Sequence, residues 1–161
     1  MHPRDQTLSP CREPVQGLWI GRRLSTLERL SIVSFLRNGH PYVLYAYDAV
    51  DGVPAGTEVR DAREILAEDE IFAYRTGSWA AGSNLFRFEL LAQRGGTWVD
   101  TDVVCLRPFD VPGELVFFEE PGAGDTRTDL ATCVLRAPAG HPALSWAAEA
   151  WRQARPDVLA G

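Results

Sequence analysis

The sequence contains no lysine, so its 16 basic side chains are all arginine, and 22 acidic side chains bring the net charge to −6. An acidic chain of this kind disfavours general nucleic-acid binding and offers no polybasic patch to a membrane surface. No apolar run is long enough to cross a bilayer, and the first residues lack the apolar core of a signal peptide. The 3 cysteines form neither a disulfide framework nor a Cys-x-x-Cys pair. These absences predict a cytoplasmic protein, and the lysine-free composition is typical of a GC-rich bacterial genome.

Length and hydrophobic pattern predict one α/β domain. The 161 residues, 45% of them hydrophobic, are enough for a single core. We predict a flexible lead at residues 1–14 and one domain at residues 15–161. A strand over residues 15–20, a helix that begins at a capping box at residues 25–28 and a strand over residues 41–47 follow in order. Because a strand–helix–strand unit favours a parallel pair, we expect an α/β fold with a mostly parallel sheet flanked by helices.

The other elements have weaker signals. In chain order, the pattern predicts turns over residues 51–58, a short helix over 61–67, strands over 115–118 and 129–136, and a last helix over 142–154. Two cysteines, Cys105 and Cys133, fall in strand-like runs, where we expect buried thiols.

The most informative segment lies between residues 83 and 108. Apolar residues over 85–92 recur at helical spacing and have apolar neighbours, which predicts a helix buried on more than one side. We expect Gly95 to end this helix in a left-handed conformation. β-branched and aromatic residues follow, so the chain passes from helix to strand. Asp100 and Asp102 stand where that strand ends or bends.

The two aspartates and a nearby arginine suggest a site for a charged ligand. If the backbone is extended, Asp100 and Asp102 share one face, where they repel each other unless solvated or neutralised by a divalent cation. Mg²⁺ and Mn²⁺ prefer carboxylate oxygens and often keep positions open for phosphate. Asn84 and Arg87 share a helix face, and a buried arginine needs a partner. That partner is either an acidic side chain, from Asp100, Asp102 or Glu89, or a phosphate or sugar bound beside the carboxylates.

The run SNLFRFELLAQRGGTWVDTDVVCLRPFD at residues 83–110 resembles a known sugar-binding region with a DXD motif. That region occurs in capsular-polysaccharide-type and mannosyltransferase-like glycosyltransferases (glycosyltransferase family thirty-two) and, more distantly, in glucosylating toxins. The family pattern is roughly S-D-x-x-R-Y, an apolar helix and G-G-x-Y-x-D-x-D, and the match covers mainly residues 79–110. Asn84 stands where the family usually has an aspartate that contacts the donor, and its amide keeps hydrogen bonding to hydroxyls without the charge.

The resemblance implies a Rossmann-like nucleotide-sugar fold of GT-A type and a hexosyltransferase of polysaccharide biosynthesis. It implies a nucleotide-diphosphate sugar donor, UDP-hexose, a saccharide or other acceptor, and transfer with retention. It further implies Mn²⁺ or Mg²⁺ held by Asp102 and Asp100, with Arg87 as the third catalytic residue. The donor would be bound by Trp19, Ser83, Asn84, Arg87 and Asp100. For Trp19 the resemblance implies stacking on the base, while a core tryptophan at a strand end is an equal alternative.

Two other functions remain open. Residues 99–104 also fit the first motif of haloacid-dehalogenase-type phosphatases, with Asp100 as nucleophile and Asp102 as acid/base, but the usual lysine is absent and only a short tail follows. Relatives of the resembling type usually continue beyond the point where this chain stops. That difference favours a third possibility, a truncated or non-catalytic protein that binds a nucleotide sugar.

Overall fold

The computed structural model describes residues 12–108, 110, 112–121 and 128–160, with the side chains of residues 155–160 left aside. Within these ranges the elements are β1 Val15–Trp19, α1 Thr26–Arg37, β2 Tyr42–Ala46, β3 Thr57–Asp61, a 3₁₀ helix Ala62–Glu64, α2 Ala80–Arg94, β4 Gly96–Val99, β5 Val116–Pro121, β6 Thr128–Ala137 and α3 Pro142–Ala160. None of the helices in this part of the chain has the length and apolar content that a membrane crossing requires.

The strands form one sheet in the order β3-β2-β1-β4-β6-β5. Strand β1 pairs in parallel with β2 and β4, and β2 pairs in parallel with β3. The last strand, β6, is antiparallel to both β4 and β5. Three of the five pairings are therefore parallel, which confirms the predicted α/β class with a mostly parallel sheet flanked by helices.

Alternation along the strands divides the core between the two faces of the sheet. On one face, Val15, Leu44 and Val99 pack with Ile32 and Phe35 of α1. On the other face, side chains from β1, β2 and β4 pack against α2, and α3 extends that layer; this cluster includes Leu18, Tyr45, Trp98, Leu85, Phe86, Leu90 and Leu144. Strand β2 is buried along its whole length, as expected for a parallel strand covered on both sides.

Local signals explain how α1 and α2 begin or end. The predicted capping box is present, because the Ser25 hydroxyl accepts from Leu27 and Glu28 accepts from the Ser25 amide. Helix α2 ends at Gly95 as predicted, but the φ of 65° and ψ of −162° at this glycine are not those of the expected left-handed helical conformation. A Cβ at Gly95 would lie 2.4 Å from the backbone nitrogen of Ala139, so only glycine fits between α2 and the segment after β6.

Two predictions about elements are wrong in part. The turn-rich segment over residues 51–58 ends in a strand, Thr57–Asp61, which pairs along its full length with β2. That pairing depends on a distant strand, so local composition did not reveal it. The helix expected over residues 61–67 shortens to the 3₁₀ turn Ala62–Glu64. Both cysteines expected as buried thiols in strands also differ in part: Cys105 is buried but lies outside any strand, and Cys133 lies in β6 but is only half-buried.

Most of the predicted N-terminal lead lies outside the described residues. Of its last three residues, Arg12 donates to both carboxylate oxygens of Asp110 and to the Asn38 carbonyl. Glu13 forms an ion pair with Arg136 at 2.7 Å. The boundary between lead and domain remains a prediction.

Candidate functional site

The candidate site lies at the carboxyl ends of β1 and β4. Strand β1 is central, with β2 on one side and β4 on the other, so the strand order changes direction between β1 and β4. Crevices beyond the carboxyl ends of parallel strands at such a point are where open α/β sheets bind ligands. Trp19 is the last residue of β1, and Asp100 directly follows β4. The fold therefore brings two predicted site residues, 81 positions apart in the sequence, to one edge of the sheet.

The Asp100 carboxylate is held by two side chains. Arg87 of α2 approaches Asp100 Oδ1 with its Nη2 atom at 3.1 Å. The indole Nε1–H of Trp98 donates to the same oxygen at 2.8 Å. Both contacts fall on Oδ1, so Oδ2 has no bond with any residue that the structure describes. Charge-assisted contacts of this kind fix the orientation of Asp100 and leave one oxygen for a ligand.

Arg87 is anchored inside the protein. Arg87 is only 4% exposed, and its guanidinium carbon lies 5.3 Å from the centre of the Trp98 ring. In addition to its ion pair with Asp100, the guanidinium donates hydrogen bonds to the carbonyl oxygens of Thr132 and Ser83. A guanidinium has five N–H groups, and hydrogen bonds to described residues account for two of them, one at Nε and one at Nη1. The structure thus shows the protein partner that the sequence left open, namely Asp100.

Burial and attraction act in opposite directions on this ion pair. Burial raises the pKa of Asp100, while Arg87 and the Trp98 N–H lower it. Burial likewise lowers the pKa of Arg87, and the Asp100 charge opposes that shift. An arginine remains protonated in proteins, so Arg87 is the fixed positive charge of the site.

Asp102 lies in a different environment. The chain turns at Thr101 and Asp102, with the Val103 amide donating to the Asp100 carbonyl at 3.1 Å. The extended arrangement considered for the two aspartates is therefore absent, because the strand ends at Val99. Asp102 is exposed and has no hydrogen bond or ion pair with any described residue. One carboxylate is thus fixed, while the other is free to meet a ligand from solvent.

The two carboxylates fit a cation site that is completed by a ligand. Over the described parts of the chain, no group of three His, Cys, Asp or Glu side chains converges as a protein-only metal site would require. The available donors are the Asp102 carboxylate and Oδ2 of Asp100. A small hard cation such as Mg²⁺ is commonly held by one or two carboxylates together with water and substrate phosphates. The donor set therefore suits Mn²⁺ or Mg²⁺ bound together with a phosphate ligand.

A cleft of about 230 Å³ lies beside the two aspartates. We call it the tryptophan cleft, and it is lined by Leu18, Trp19, Ile20, Trp79, Ala80, Ser83 and Thr101. Ser83 and Trp19, both predicted to bind the donor, are among these lining residues, and Thr101 connects the cleft to Asp100 and Asp102. Trp19 also packs against the core cluster on the α1 face of the sheet, and its stacking on a base stays a prediction. Asn84 is half-buried in the first turns of α2 and has no hydrogen bond with a described residue. Its predicted contact with a donor hydroxyl stays a prediction.

Trp98 and Tyr42 lie beside the two aspartates, although the sequence analysis assigned neither of them to the site. Trp98 is 1% exposed and links Asp100 to Arg87. Two sequence signals could have found Trp98: it takes the aromatic position of the G-G-x-Y-x-D-x-D pattern, and it stands two residues before Asp100, so that both side chains leave the chain on one face. The Tyr42 hydroxyl is buried without a described partner, and a Cβ at Gly17 would lie 2.6 Å from it. Burial, and to a smaller extent the charges of Asp100 and Asp102, raise the pKa of Tyr42 and keep the phenol protonated.

Comparisons with known proteins identify a family and a fold. Residues 28–118 match the family described as glycosyltransferase sugar-binding region containing DXD motif. The solved structure titled PaToxG Glycosyltransferase matches with a TM-score of 0.66 and 15% sequence identity over 90% of this chain. At that identity the match shows the fold alone, and the chain spans 61% of the length of that structure. A comparison with curated proteins finds no match.

Proposed function

The chain belongs to the family of glycosyltransferase sugar-binding regions containing a DXD motif, and we propose that it is a metal-dependent hexosyltransferase. The donor is a nucleotide-diphosphate sugar, UDP-hexose, and the acceptor is a saccharide or another hydroxyl compound. Transfer proceeds with retention. The observation that carries this proposal is the pair of unlike carboxylates, with Asp100 fixed by Arg87 and Trp98 and Asp102 open to solvent.

Asp102 and Oδ2 of Asp100 would hold the Mn²⁺ or Mg²⁺ ion. When bound, a divalent cation stabilises the negative charge that develops on a departing diphosphate. The protein contributes the orientation of this site. Because Arg87 and Trp98 already occupy Oδ1, Asp100 does not have to reorganise when a donor arrives. Pre-organised charges of this kind act more strongly in the partly buried surroundings of Asp100 than in water.

Residues of α2 would bind the sugar side of the donor. Ser83 lines the tryptophan cleft, and Asn84 follows it in the sequence. Hydroxyl and amide groups donate to and accept from sugar hydroxyls. The N–H groups of Arg87 that make no hydrogen bond to a described residue would meet a donor oxygen, while its bonds to Ser83 and Thr132 and its ion pair with Asp100 keep the side chain in place. We propose that Arg87 has two roles. It mainly holds Asp100 in place, and its remaining N–H groups contact the donor.

Calorimetric titration with UDP and UDP-hexoses, first with Mn²⁺ and then with EDTA, tests this proposal. We expect binding that requires the metal. Asp102→Asn retains the side-chain shape without the charge and should weaken metal-dependent binding at least about 100-fold. Even the loss of a residue that only hydrogen-bonds to a metal ligand typically lowers metal affinity about 10- to 100-fold. Asp69→Asn is the matched control, because Asp69 is an exposed aspartate outside the helices and strands. If Asp102→Asn binds like the unchanged chain, the metal assignment is wrong.

Turnover separates the enzyme from a binding protein. Release of UDP from a UDP-hexose, with and without a sugar acceptor, is expected in the presence of Mn²⁺ and absent with EDTA. Metal-dependent binding without any release would favour the non-catalytic alternative. The phosphatase alternative needs Asp100 as a free nucleophile, but both Arg87 and Trp98 bond to that carboxylate. If the chain hydrolyses simple phosphate esters and Asp100→Asn abolishes this hydrolysis, the phosphatase alternative would be favoured again.

A further inference from the structure

Another cavity lies at the opposite end of the sheet from the candidate site. It has a volume of about 400 Å³, and its lining includes Gln16, Arg60, Arg94, Gly96, Glu114 and Arg136. We call it the amino-end cavity, because Gln16 and Gly96 stand at the starts of β1 and β4. Helix α2 runs from the tryptophan cleft, which its first residue Ala80 lines, to this cavity, which its last residue Arg94 lines. At about 1.5 Å per residue, the 15 residues of α2 span about 22 Å between the two.

Gln16 is a buried polar side chain with one unused acceptor. It is 8% exposed on the central strand, and its Nε2 atom donates to the Gly95 carbonyl at 3.0 Å. A Cβ at Gly96 would lie 2.7 Å from this Nε2 atom, so a glycine there leaves room for the amide. The other amide atom, Oε1, has no hydrogen bond with any residue that the structure describes. Because burying an unpaired polar group costs free energy, this oxygen favours a hydrogen-bond donor bound in the cavity.

The charges around the cavity are mixed. Each of its three lining arginines is already paired with a carboxylate at 2.7–2.8 Å. The pairs are Arg60 with Glu58, Arg94 with Glu64, and Arg136 with Glu13. Glu114 adds a further acidic side chain, and the carboxyl end of α2 contributes a partial negative charge. An anion would therefore meet carboxylates, while a cation would meet guanidiniums.

This combination suits an uncharged ligand with several hydroxyl groups. A hydroxyl both donates and accepts, so it can bond to guanidiniums, which only donate, and to carboxylates, which only accept. A guanidinium has five N–H groups, so an arginine that is paired with a carboxylate still has donors for a ligand. Pro14 and Pro138 add apolar surface for the C–H groups of a sugar ring. The volume also falls within the roughly 300–1,000 Å³ of sites that enclose small ligands.

We propose that the amino-end cavity is a second saccharide site, which binds a neutral sugar unit through Gln16, Arg60 and Arg94. The inference goes beyond the proposed function, because it assigns binding without transfer to the other end of α2. A glycan acceptor of several units would have one unit here while another unit reaches the donor. This use for an acceptor rests on the proposed function, whereas the binding of the sugar does not.

Nuclear magnetic resonance of the nitrogen-15-labelled chain tests the site residue by residue. Cellobiose, maltose and mannobiose are titrated as neutral probes, without metal or UDP. We expect at least one of them to shift the backbone amide signals of Gly95 and Gly96 and the side-chain amide signals of Gln16. Inorganic phosphate at the same concentration should leave these signals in place.

Arg60→Gln removes one guanidinium from the cavity. A hydrogen bond to a charged group contributes enough that its loss should weaken sugar binding at least about 10-fold. Arg60 lies on the edge strand β3 in a surface ion pair, so the variant should retain its fold. Arg37→Gln is the matched control, because Arg37 is exposed at the end of α1 and does not line the cavity. Both variants should bind UDP with Mn²⁺ like the unchanged chain, since neither residue belongs to the candidate site.

The outcomes separate this inference from the proposed function. Sugar-induced shifts around the cavity that weaken in Arg60→Gln but not in Arg37→Gln would support the site. The site is refuted if none of the three sugars shifts these signals, if phosphate shifts them more strongly than the sugars do, or if the shifts are confined to the tryptophan cleft. The transferase proposal stands in each of those cases, because it depends on UDP binding with Mn²⁺. A folded chain that binds a sugar at the cavity but does not bind UDP with Mn²⁺ would retain this site and refute the proposed function.

Discussion

Replacement of Arg87 by methionine tests the central ion pair. The pair joins Arg87 Nη2 to Asp100 Oδ1 at 3.1 Å, with the side chains 5% and 27% exposed. Removing one partner of a buried pair costs about 3–5 kcal/mol, because the other charge stays buried without compensation. Asp100 retains the Trp98 N–H and some solvent contact, so we expect a loss of about 3 kcal/mol in the free energy of unfolding. For a chain of this size that corresponds to a fall in Tm of about 6–12 °C.

The same helix provides a matched control. Arg94 pairs with Glu64 at 2.8 Å, but these side chains are 37% and 45% exposed. Exposed ion pairs contribute less than about 1 kcal/mol, so Arg94→Met should be nearly neutral. Urea unfolding followed by circular dichroism at pH 7 gives both values. Equal losses in the two variants would refute the argument that burial makes the Arg87 pair important.

The effect of Arg87→Met should depend on pH. Burial raises the pKa of folded Asp100, and Arg87 opposes that shift, so the variant raises this pKa further. The folded state then binds a proton more tightly than the unfolded chain, and stability falls as pH rises from the unfolded pKa to the raised folded pKa. The deficit of the variant should therefore be larger at pH 7 than at pH 4. A deficit that is the same at both values would show that lost packing, and not the unpaired Asp100 charge, destabilises the variant.

Three further predictions concern neighbouring parts of the fold. Trp98→Phe keeps a ring beneath the Arg87 guanidinium but removes the N–H that donates a hydrogen bond to Asp100. The free energy of unfolding, measured by urea titration, should therefore fall by about 1.5–3 kcal/mol. An unchanged midpoint would contradict this prediction. Gly95→Ala would place a Cβ 2.4 Å from a backbone nitrogen and should strongly destabilise the protein. Gly140→Ala has no atom within 4 Å of the new Cβ, so this control should lose only the roughly 1–3 kcal/mol that a strained backbone costs. Equal melting temperatures of the two variants would argue against the close approach at Gly95. Burial raises the pKa of the Cys133 thiol, so iodoacetamide at pH 8 should alkylate Cys133 more slowly than it alkylates the same cysteine in an unfolded peptide. The measurement uses a chain whose other cysteines are replaced by serine and follows alkylation by mass spectrometry. Equal rates would refute the prediction.

The local elements around the motif could be predicted from the sequence. The helical spacing of apolar residues predicted α2, and Gly95 ends it with a positive φ. The change to β-branched and aromatic residues predicted the following strand, which ends at Val99, immediately before Asp100. These features depend on neighbours within a few positions, for which intrinsic preferences and glycine geometry are sufficient.

Features that join distant segments could not be predicted in the same way. Strand β3 lies in a polar, turn-rich stretch and becomes a strand by pairing with β2. From the sequence, the partner of Arg87 could be any of three acidic residues or a ligand. Asp100 becomes the partner because α2 packs against β4, which Asp100 directly follows. The carbonyl of Thr132, which accepts from Arg87, belongs to β6, a strand that the sequence places 45 residues later. Only packing brings these groups together.

The sequence by itself determined the family and which chemical groups are available at the candidate site. The order of residue types from Ser83 to Asp102 predicted the family, two carboxylates for a hard cation, and a helix that carries an arginine beside them. The tertiary structure decided how the roles are divided. Asp100 is oriented because β4 places it beside buried Arg87 and Trp98, while Asp102 remains exposed because the chain turns after the strand. Spacing along a chain specifies which groups are available, but burial and pairing depend on elements that meet only when the sheet forms.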